Sequence, residues 1–471
     1  MNTTDKKSPE LIRGLGPWAA AAIVVGTMVG TGIFLKPASM AQAAGSVGAL
    51  TLAWIIGGVL SLLGALAVAE LGAAIPEAGG TYAYMNRAYG PIWGFVFGWT
   101  YSIIGAPTSI ATIAAGLLQV ASFLFPAIAT PLHVFHFNSL FTHAPSTFAF
   151  TWAQPLAVVA IALITFINYF GVRLGGRVQV VLTIIKVAAV VAVIFIGFFF
   201  GKGTVANLHS ASGASIGHFG LAAGFMTAMA GALWAYDGWI NLTFVGSEIK
   251  NPERNIPLSL ILGVMAVATM FVAMSVACFY VLPFSQAAAS PHIASDVVAR
   301  ATGADLATWL TIIMMICALG TLNSSILTNA RVDYAMARDG LFFRIVRGVH
   351  PRFRTPANAL VFQAILASVL ALTGTFDDLS YLYVFLVWIF YAAQTAGLIV
   401  LRYKEPNMPR PYKTWGYPVL PIIFILGALA LTVNSLLQRP GRSTMGVVVM
   451  LIGLIFYVRW RKRASAQTPQ Q

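Results

Sequence analysis

The sequence predicts an all-α membrane protein of twelve transmembrane helices, arranged as two inverted five-helix repeats with two C-terminal helices appended. Three observations predict this. The 471 residues are 58% hydrophobic and only 9% charged, whereas a soluble domain carries about 25% charge. So much apolar surface cannot be hidden in one water-soluble core. Twelve segments are apolar enough to read as spanning helices, which need ~20 predominantly apolar residues. Two of those segments, the first and the sixth, are interrupted at their centres. Interruptions five spans apart fit folds built from two inverted repeats, each opening with a discontinuous helix.

The spans are expected at 17–44, 48–75, 91–125, 152–170, 177–200, 219–247, 256–283, 306–330, 357–374, 379–401, 417–437 and 443–459. Residues 1–16 form a tail and 17–205 the first repeat. Residues 206–402 form the second repeat, 403–459 the last two spans, and 460–471 a second tail. Met1 to Arg13 is polar and has no small-residue cleavage site, so no cleavable leader is expected. With the N-terminus on the cytoplasmic side, 22 of the 28 Lys and Arg residues fall in cytoplasmic segments. That is the positive-inside pattern, and it puts both termini in the cytoplasm of a multi-pass inner-membrane protein. The net charge of +14 is then a topology signal. No basic patch interleaves with aromatics on a soluble face, so no nucleic-acid partner is expected.

The first span carries "GTMVGTGIF", Gly26 to Phe34. Each Gly costs about 1 kcal/mol against Ala in a helix interior, so the cluster needs a reason. One reason is packing, since Gly26 and Gly30 stand at GxxxG spacing. The other is a break. Unpaired backbone groups at membrane depth are tolerated where they line a cavity or meet a ligand. A half-helix starting near Ile33 points free N–H groups and a positive dipole end at the break, which suits a carboxylate. Half-helices ending near Met28 and near Trp234 expose carbonyls, which suit an ammonium. A ligand with both charges within a few ångströms is an α-amino acid. A small organic cation or a sodium ion would use the carbonyls alone.

The third span is long enough to start or end outside the hydrocarbon layer. The segment 126–151 reads as a long outer loop without Lys or Arg. Its His133, His136 and His143 have no carboxylate or Cys nearby, so stray solvated histidines are expected and no metal or cofactor. The fifth span holds Lys186, about ten residues or ~15 Å along its helix. It either ties to carbonyls or an acid, with Asn323 of the eighth span a neighbour, or snorkels to the surface. The sixth span is interrupted at "WAYDG", Trp234 to Gly238. Asp237 there is a functional candidate by location: it would hold a cationic side chain, exchange a proton, or cap the second half-helix. Glu70 and Glu248 are expected to pair with loop arginines. Residues 331–354 are read as a cytoplasmic gate-side loop. Cys278 and Cys317 lie in apolar runs with neither disulfide nor metal spacing.

"VGTMVGTGIF", "AELGAAIPEAGGTYAYMNRAYGP", "GALWAYDGW", "GSEIKNPERNIP", "RVDYAMARDGLFF", "RTPANAL" and "RPYKTWGYPVLP" occur in that order between about residues 14 and 425. Together they resemble the amino acid–polyamine–organocation superfamily, and most closely bacterial members of its L-type amino-acid transporter family. The resemblance implies the LeuT-type inverted-repeat fold and a sodium-independent permease, in exchange mode first and in proton-coupled mode second. It implies that Gly30, Thr31 and Gly32 meet the substrate carboxylate and that the Met28 carbonyl meets the amine. It implies that Trp234 and Ala235 mark the sixth-helix break, with Trp234 as a gate. Thr31 stands where many members have Ser, and Asp237 where many have a small residue. Lys186 resembles a stand-in for the sodium ion of related transporters, bridging helices one and eight. Animal members join a heavy chain through a Cys in the loop after span three. No Cys occurs in 126–151 here, so no disulfide-linked partner is expected.

Other classes fit less well. No span carries HExxH, GxSxG or a paired carboxylate set, against a membrane enzyme. No filter segment or charged ring points to a channel. A sensor that binds an amino acid without moving it stays open on sequence grounds.

Overall fold

The computed structural model describes residues 13–138, 145–170, 172–211, 220–438 and 440–465. Helices α1 (Pro17–Met28) and α2 (Thr31–Ala44) occupy the first expected span. α3 (Val47–Ala74) follows, then a short α4 (Thr81–Tyr89). α5 (Pro91–Thr100) and α6 (Ala106–Ala121) are joined by a π turn, Tyr101–Gly105, into one rod. Strands β1 (Pro131–Asn138) and β2 (Pro145–Thr151) pair antiparallel. α7 (Ala153–Tyr169), α8 (Val172–Phe200), the single turn α9 (Val205–Leu208) and α10 (Gly220–Ala235) come next. They are followed by α11 (Asn241–Phe244), α12 (Pro252–Val281), α13 (Phe284–Ala289) and α14 (Ile293–Thr302). The chain closes with α15 (Ala304–Arg338), α16 (Ala357–Thr373), α17 (Phe376–Lys404), α18 (Val419–Gln438) and α19 (Pro440–Ser465).

Among the described residues, eight helical rods are long and apolar enough to cross a bilayer. Four shorter apolar helices, Ala153–Tyr169, Ala222–Ala235, Ala357–Thr373 and Gly446–Trp460, lie where the fourth, sixth, ninth and twelfth spans are expected. The chain is a multi-pass helical membrane protein. Its outer faces carry the large exposed side chains that lipid accommodates, among them Phe166 on α7, Ile184 on α8 and Leu426 on α18.

The elements that position the cavity have local causes. α1 opens with Pro17 at its first position, where the missing N–H costs nothing. It stops at Met28 because Val29 (ψ 87°) and Gly30 (φ −133°, ψ −148°) leave the helical region. α2 restarts at Thr31 and ends on Gly45 in the left-handed region (φ 72°). α3 starts on Ser46, whose hydroxyl accepts from the Ala49 N–H. α10 stops at Ala235 and the chain turns through Gly238 (φ +109°) before α11.

The two interrupted rods run in opposite directions. Backbone bonds tie Gly14, Leu15 and Lys250 together with Glu248, so α1 begins where the second interrupted rod ends. Val47 donates to the Ser210 carbonyl, so α2 ends beside the segment that leads to α10.

Two expectations about local structure are corrected. Residues 126–151 are not a featureless loop: they contain the β1–β2 hairpin, with His133 and His136 exposed on β1. "HVFHF" and "STFAF" are rich in aromatic residues, which favour strands. His143 lies outside the described residues, and no His, Cys, Asp or Glu group of metal-binding size occurs among the described ones. The segment 331–354 is not a loop throughout, because α15 continues to Arg338 and buries Arg331 and Asp333. The third span also carries a local irregularity, the π turn Tyr101–Gly105. The π turn sits just before Pro107, which has no N–H to continue the ladder.

Glu70 receives Arg402 of α17 at 2.5 Å and Arg410 at 3.3 Å, and it also accepts from the Thr414 N–H. Glu248 pairs with Arg331 at 3.0 Å, both side chains buried. Both acids are therefore structural pairs, as expected. Arg331 and Arg402 reach them from helices rather than from loops.

Candidate functional site

The two interruptions touch. The Thr27 hydroxyl donates to the Gly238 carbonyl at 2.9 Å. A Cβ on Gly32 would stand 2.9 Å from Ala235 Cα, and one on Gly238 would stand 2.9 Å from Thr27 Cβ. These two glycines allow the broken rods to cross at backbone distance. Gly26 and Gly30 do not share a packing face. A Cβ on Gly26 would meet Gln179 and Thr183 of α8, whereas one on Gly30 would meet Thr321 of α15. The GxxxG reading fails because the helix ends between them.

A cavity of about 30 Å³ opens at the crossing. That is room for a water or two, so the walls are nearly closed on it in this conformation. Met28, Gly30, Thr31, Gly32, Trp234, Ala235 and Asp237, the seven residues expected at a binding site, all line it. So do Ser109 and Ile113 of α6, Asn241, and Thr321 and Ser325 of α15. These were missed because an apolar helix without strong amphipathicity does not announce which face meets a cavity.

Each wall has a definite chemistry. The first N–H groups of a helix have no intrahelical acceptor, and those of α2 point at the cavity with the positive end of the dipole. The Thr31 hydroxyl is buried and has no hydrogen-bond partner. A buried, unpaired hydroxyl costs about 1–3 kcal/mol, which a bound acceptor would offset. Met28, Trp234 and Ala235, at the ends of α1 and α10, line the same space, and the Trp234 carbonyl accepts from the Asp237 N–H at 3.2 Å. The Trp234 ring packs edge-on against Tyr383 (5.2 Å between centroids) and Phe376 (6.4 Å), so it stands between the cavity and the start of α17.

Asp237 does not cap a helix. α11 has Ile240 at its N-cap and no side-chain cap. Instead the Tyr383 hydroxyl donates to Asp237 Oδ2 and the Tyr391 hydroxyl to Oδ1, each at 2.7 Å. The tyrosines are eight residues apart, which places them on one face of α17. That spacing was the available sequence signal.

Lys186 is fully buried. Its Nζ donates to the Gly26 carbonyl and to Thr321 Oγ1, both at 2.6 Å, joining α8, α1 and α15. Snorkelling is excluded by this geometry. Asn323 is not its neighbour. It accepts from Asn168 of α7 at 2.7 Å, because residues two apart on a helix point to different sides. Farther along α2, buried Lys36 pairs with Asp377 and donates to the Ser380 hydroxyl.

A polar cavity where two antiparallel interrupted rods cross, inside a lipid-facing bundle, defines a membrane permease of the discontinuous-helix class. The chain belongs to the amino acid permease family, whose pattern matches residues 15–458, and within it to the L-type transporters of the amino acid–polyamine–organocation superfamily. It is 31% identical to the b(0,+)-type amino acid transporter 1 of Mus musculus, over 97% of this chain and 89% of that protein. It is 30% identical to the serine/threonine exchanger SteT of Bacillus subtilis, over 97% and 98% respectively. The cystine/glutamate transporter of Homo sapiens is also 30% identical, over 97% and 86%. These relatives are transporters, and the chain is an amino-acid permease rather than an enzyme.

Proposed function

We propose that the chain exchanges α-amino acids across the membrane without sodium, holding the zwitterion at the crossing of its two interrupted helices. The carboxylate lies at the start of α2, on the N–H groups of Gly30 to Gly32 and the Thr31 hydroxyl. The ammonium lies on the carbonyls of Met28 and of Trp234 and Ala235, with the Trp234 ring as the lid. Thr31 carries the reading: its hydroxyl is buried in the cavity wall and has no partner.

Sodium independence rests on Lys186. Its ammonium already supplies a positive charge to the carbonyl of α1 and the hydroxyl of α15. The side chain of the substrate extends toward Asp237, Asn241 and Ser325. With Asp237 there, a cationic side chain gains a charge-assisted partner, so the substrate range includes cationic amino acids beside neutral ones. Three of the relatives named above are, by their names, amino-acid transporters or exchangers.

The architecture behind this reading is twelve spans, with 17–205 and 206–402 as inverted repeats and both termini cytoplasmic. The opposed directions of the two interrupted rods support the inversion, and the Lys and Arg distribution supports the orientation. Residues 126–151 contain no Cys, so no disulfide-linked heavy chain is attached at that loop.

Uptake of a panel of labelled amino acids into proteoliposomes tests the proposal. Uptake that needs an internal amino acid and is indifferent to sodium is the expected result. Uptake without internal substrate that follows a pH gradient would replace exchange with proton coupling. Binding without any uptake would make the chain a sensor.

A further inference from the structure

Asp333 is the one acid in the core of α15, and the transport reading above does not use it. It is fully buried. Neither of its carboxylate oxygens has a hydrogen-bond partner. Ser102 of the π turn and Gln363 of α16 face it. Gln363 is itself fully buried, and neither end of its amide is bonded. Two unpaired polar side chains facing each other inside a membrane protein are exceptional, since buried polar groups are normally paired.

No cation answers the charge. Among the described residues, the buried bases on α15 and the elements packed around it are engaged elsewhere, and Arg344 and Arg347 on the turn that packs against α15 are exposed. Lys186 holds Gly26 and Thr321, Arg331 holds Glu248, Lys36 holds Asp377 and the exposed Arg338 lies against Asp339. Tyr101 of the π turn is the other titratable group that reaches this spot, and its hydroxyl is given to Asn329 at 3.0 Å. An ionised carboxylate without a partner is costly in such a place. A sodium ion would need several oxygen ligands, and the side chains that face the carboxylate among the described residues include those of Gln363 and Ser102. A proton needs one acceptor.

Asp333 is also connected to the cavity. Thr321, Ser325, Asn329 and Asp333 follow one another at four-residue spacing, so they lie along one side of α15. Thr321 and Ser325 line the cavity. Asn329 is closed off by Tyr101, and Asp333 comes a turn later, toward the basic end of the bundle. The π turn supplies both Tyr101 and Ser102, so one irregular turn faces this stripe at two levels.

We propose that Asp333 is a proton-binding site on the cytoplasmic side of the substrate cavity, occupied in the conformation described and emptied when that side opens to water. The inference rests on the transport reading and extends it. The O–H of the neutral acid donates to the Gln363 carbonyl while the pathway is closed. When Tyr101 and Asn329 part, water reaches the carboxyl, and the proton leaves to the cytoplasmic solution. High internal pH then favours the open form and low internal pH the closed one. The proton enters and leaves on one side, so exchange stays independent of a pH gradient while its rate follows internal pH.

The test is amino-acid exchange in proteoliposomes of oriented protein, with internal and external pH varied separately between about 5.5 and 8.5. Wild-type exchange should change at least roughly threefold with internal pH. Asp333→Asn should transport with a flat profile, and Asp333→Glu should restore a dependence with a displaced midpoint. An internal-pH profile of Asp333→Asn that superimposes on the wild type overturns the site. Wild-type exchange that tracks sodium, with the same flat response to internal pH in all three proteins, also overturns it in favour of a cation. If Asp333→Asn does not fold, pH-difference infrared spectra of the wild type decide. A protonated carboxyl band that Asp333→Glu shifts supports the site, and an unshifted or absent band sinks it. Absence of amino-acid transport by the wild type at every pH would instead fell the underlying transport reading.

Discussion

The two interruptions solve one problem in different ways. In the first, only Val29 and Gly30 separate α1 from α2, and both flanking helices exceed two turns. In the second, five residues from Tyr236 to Ile240 intervene, and the continuing helix α11 is a single turn. The freed carbonyls of the first are met by a fixed cation, since Lys186 holds Gly26 and Thr321 reaches Val29. The second carries a fixed anion, and two tyrosine hydroxyls hold Asp237. The difference teaches that the first break allows close backbone approach, whereas the second sets an acid in the cavity wall. On the proposed reading, a zwitterion's constant part belongs to the first and its variable part to the second.

Four substitutions break or sharpen that contrast. The largest effect is expected from Gly32→Val. Its Cβ alone would lie 2.9 Å from Ala235 Cα, and no backbone shift relieves this without parting the crossing. Uptake should fall to background while the protein still inserts and purifies, and normal uptake would remove the crossing from the mechanism. Lys186→Ala comes next. It leaves the Gly26 carbonyl and the Thr321 hydroxyl without their cation, at about 1–3 kcal/mol for each unsatisfied group. Exchange should slow by about tenfold or more, and added sodium should recover part of it. Identical kinetics in sodium-free buffer would deny the first break its fixed charge.

Asp237→Asn should act on selectivity rather than on rate. Cationic substrates should lose roughly tenfold relative to neutral ones, equivalent to about 1.4 kcal/mol. Equal losses for both classes would show that the second break does not read charge. The smallest effect is expected from Tyr391→Phe, which removes one of two hydroxyls from Asp237. About 1 kcal/mol, or a several-fold weaker affinity for cationic substrates, should follow. A change in affinity for neutral substrates alone would place Tyr391 on the other side of the comparison.

Some of this was legible in the chain as written. Apolar runs and glycine clusters mark where helices run and where they cannot continue, because hydrophobic length and backbone freedom are local properties. The breaks at Gly30 and Asp237, the pairing of Glu70 and Glu248 with arginines, and the seven cavity-lining positions could be named in advance for that reason. The β1–β2 hairpin had a local signal in its aromatic residues, but it lay in a segment read only for charge.

What the sequence by itself determined is a helical membrane protein with two interrupted spans at corresponding positions, each beside an ionisable side chain. Only the tertiary structure decided which groups answer those charges. Lys186 meets Thr321 and not Asn323, Asp237 meets two tyrosines of α17 and caps nothing, and Asp333 lies buried on a helix instead of in a loop. Hydrogen bonds between helices depend on rotation about each helix axis. That rotation is set by packing among residues hundreds of positions apart, and a nearly uniform apolar surface leaves no trace of it in the order of the residues.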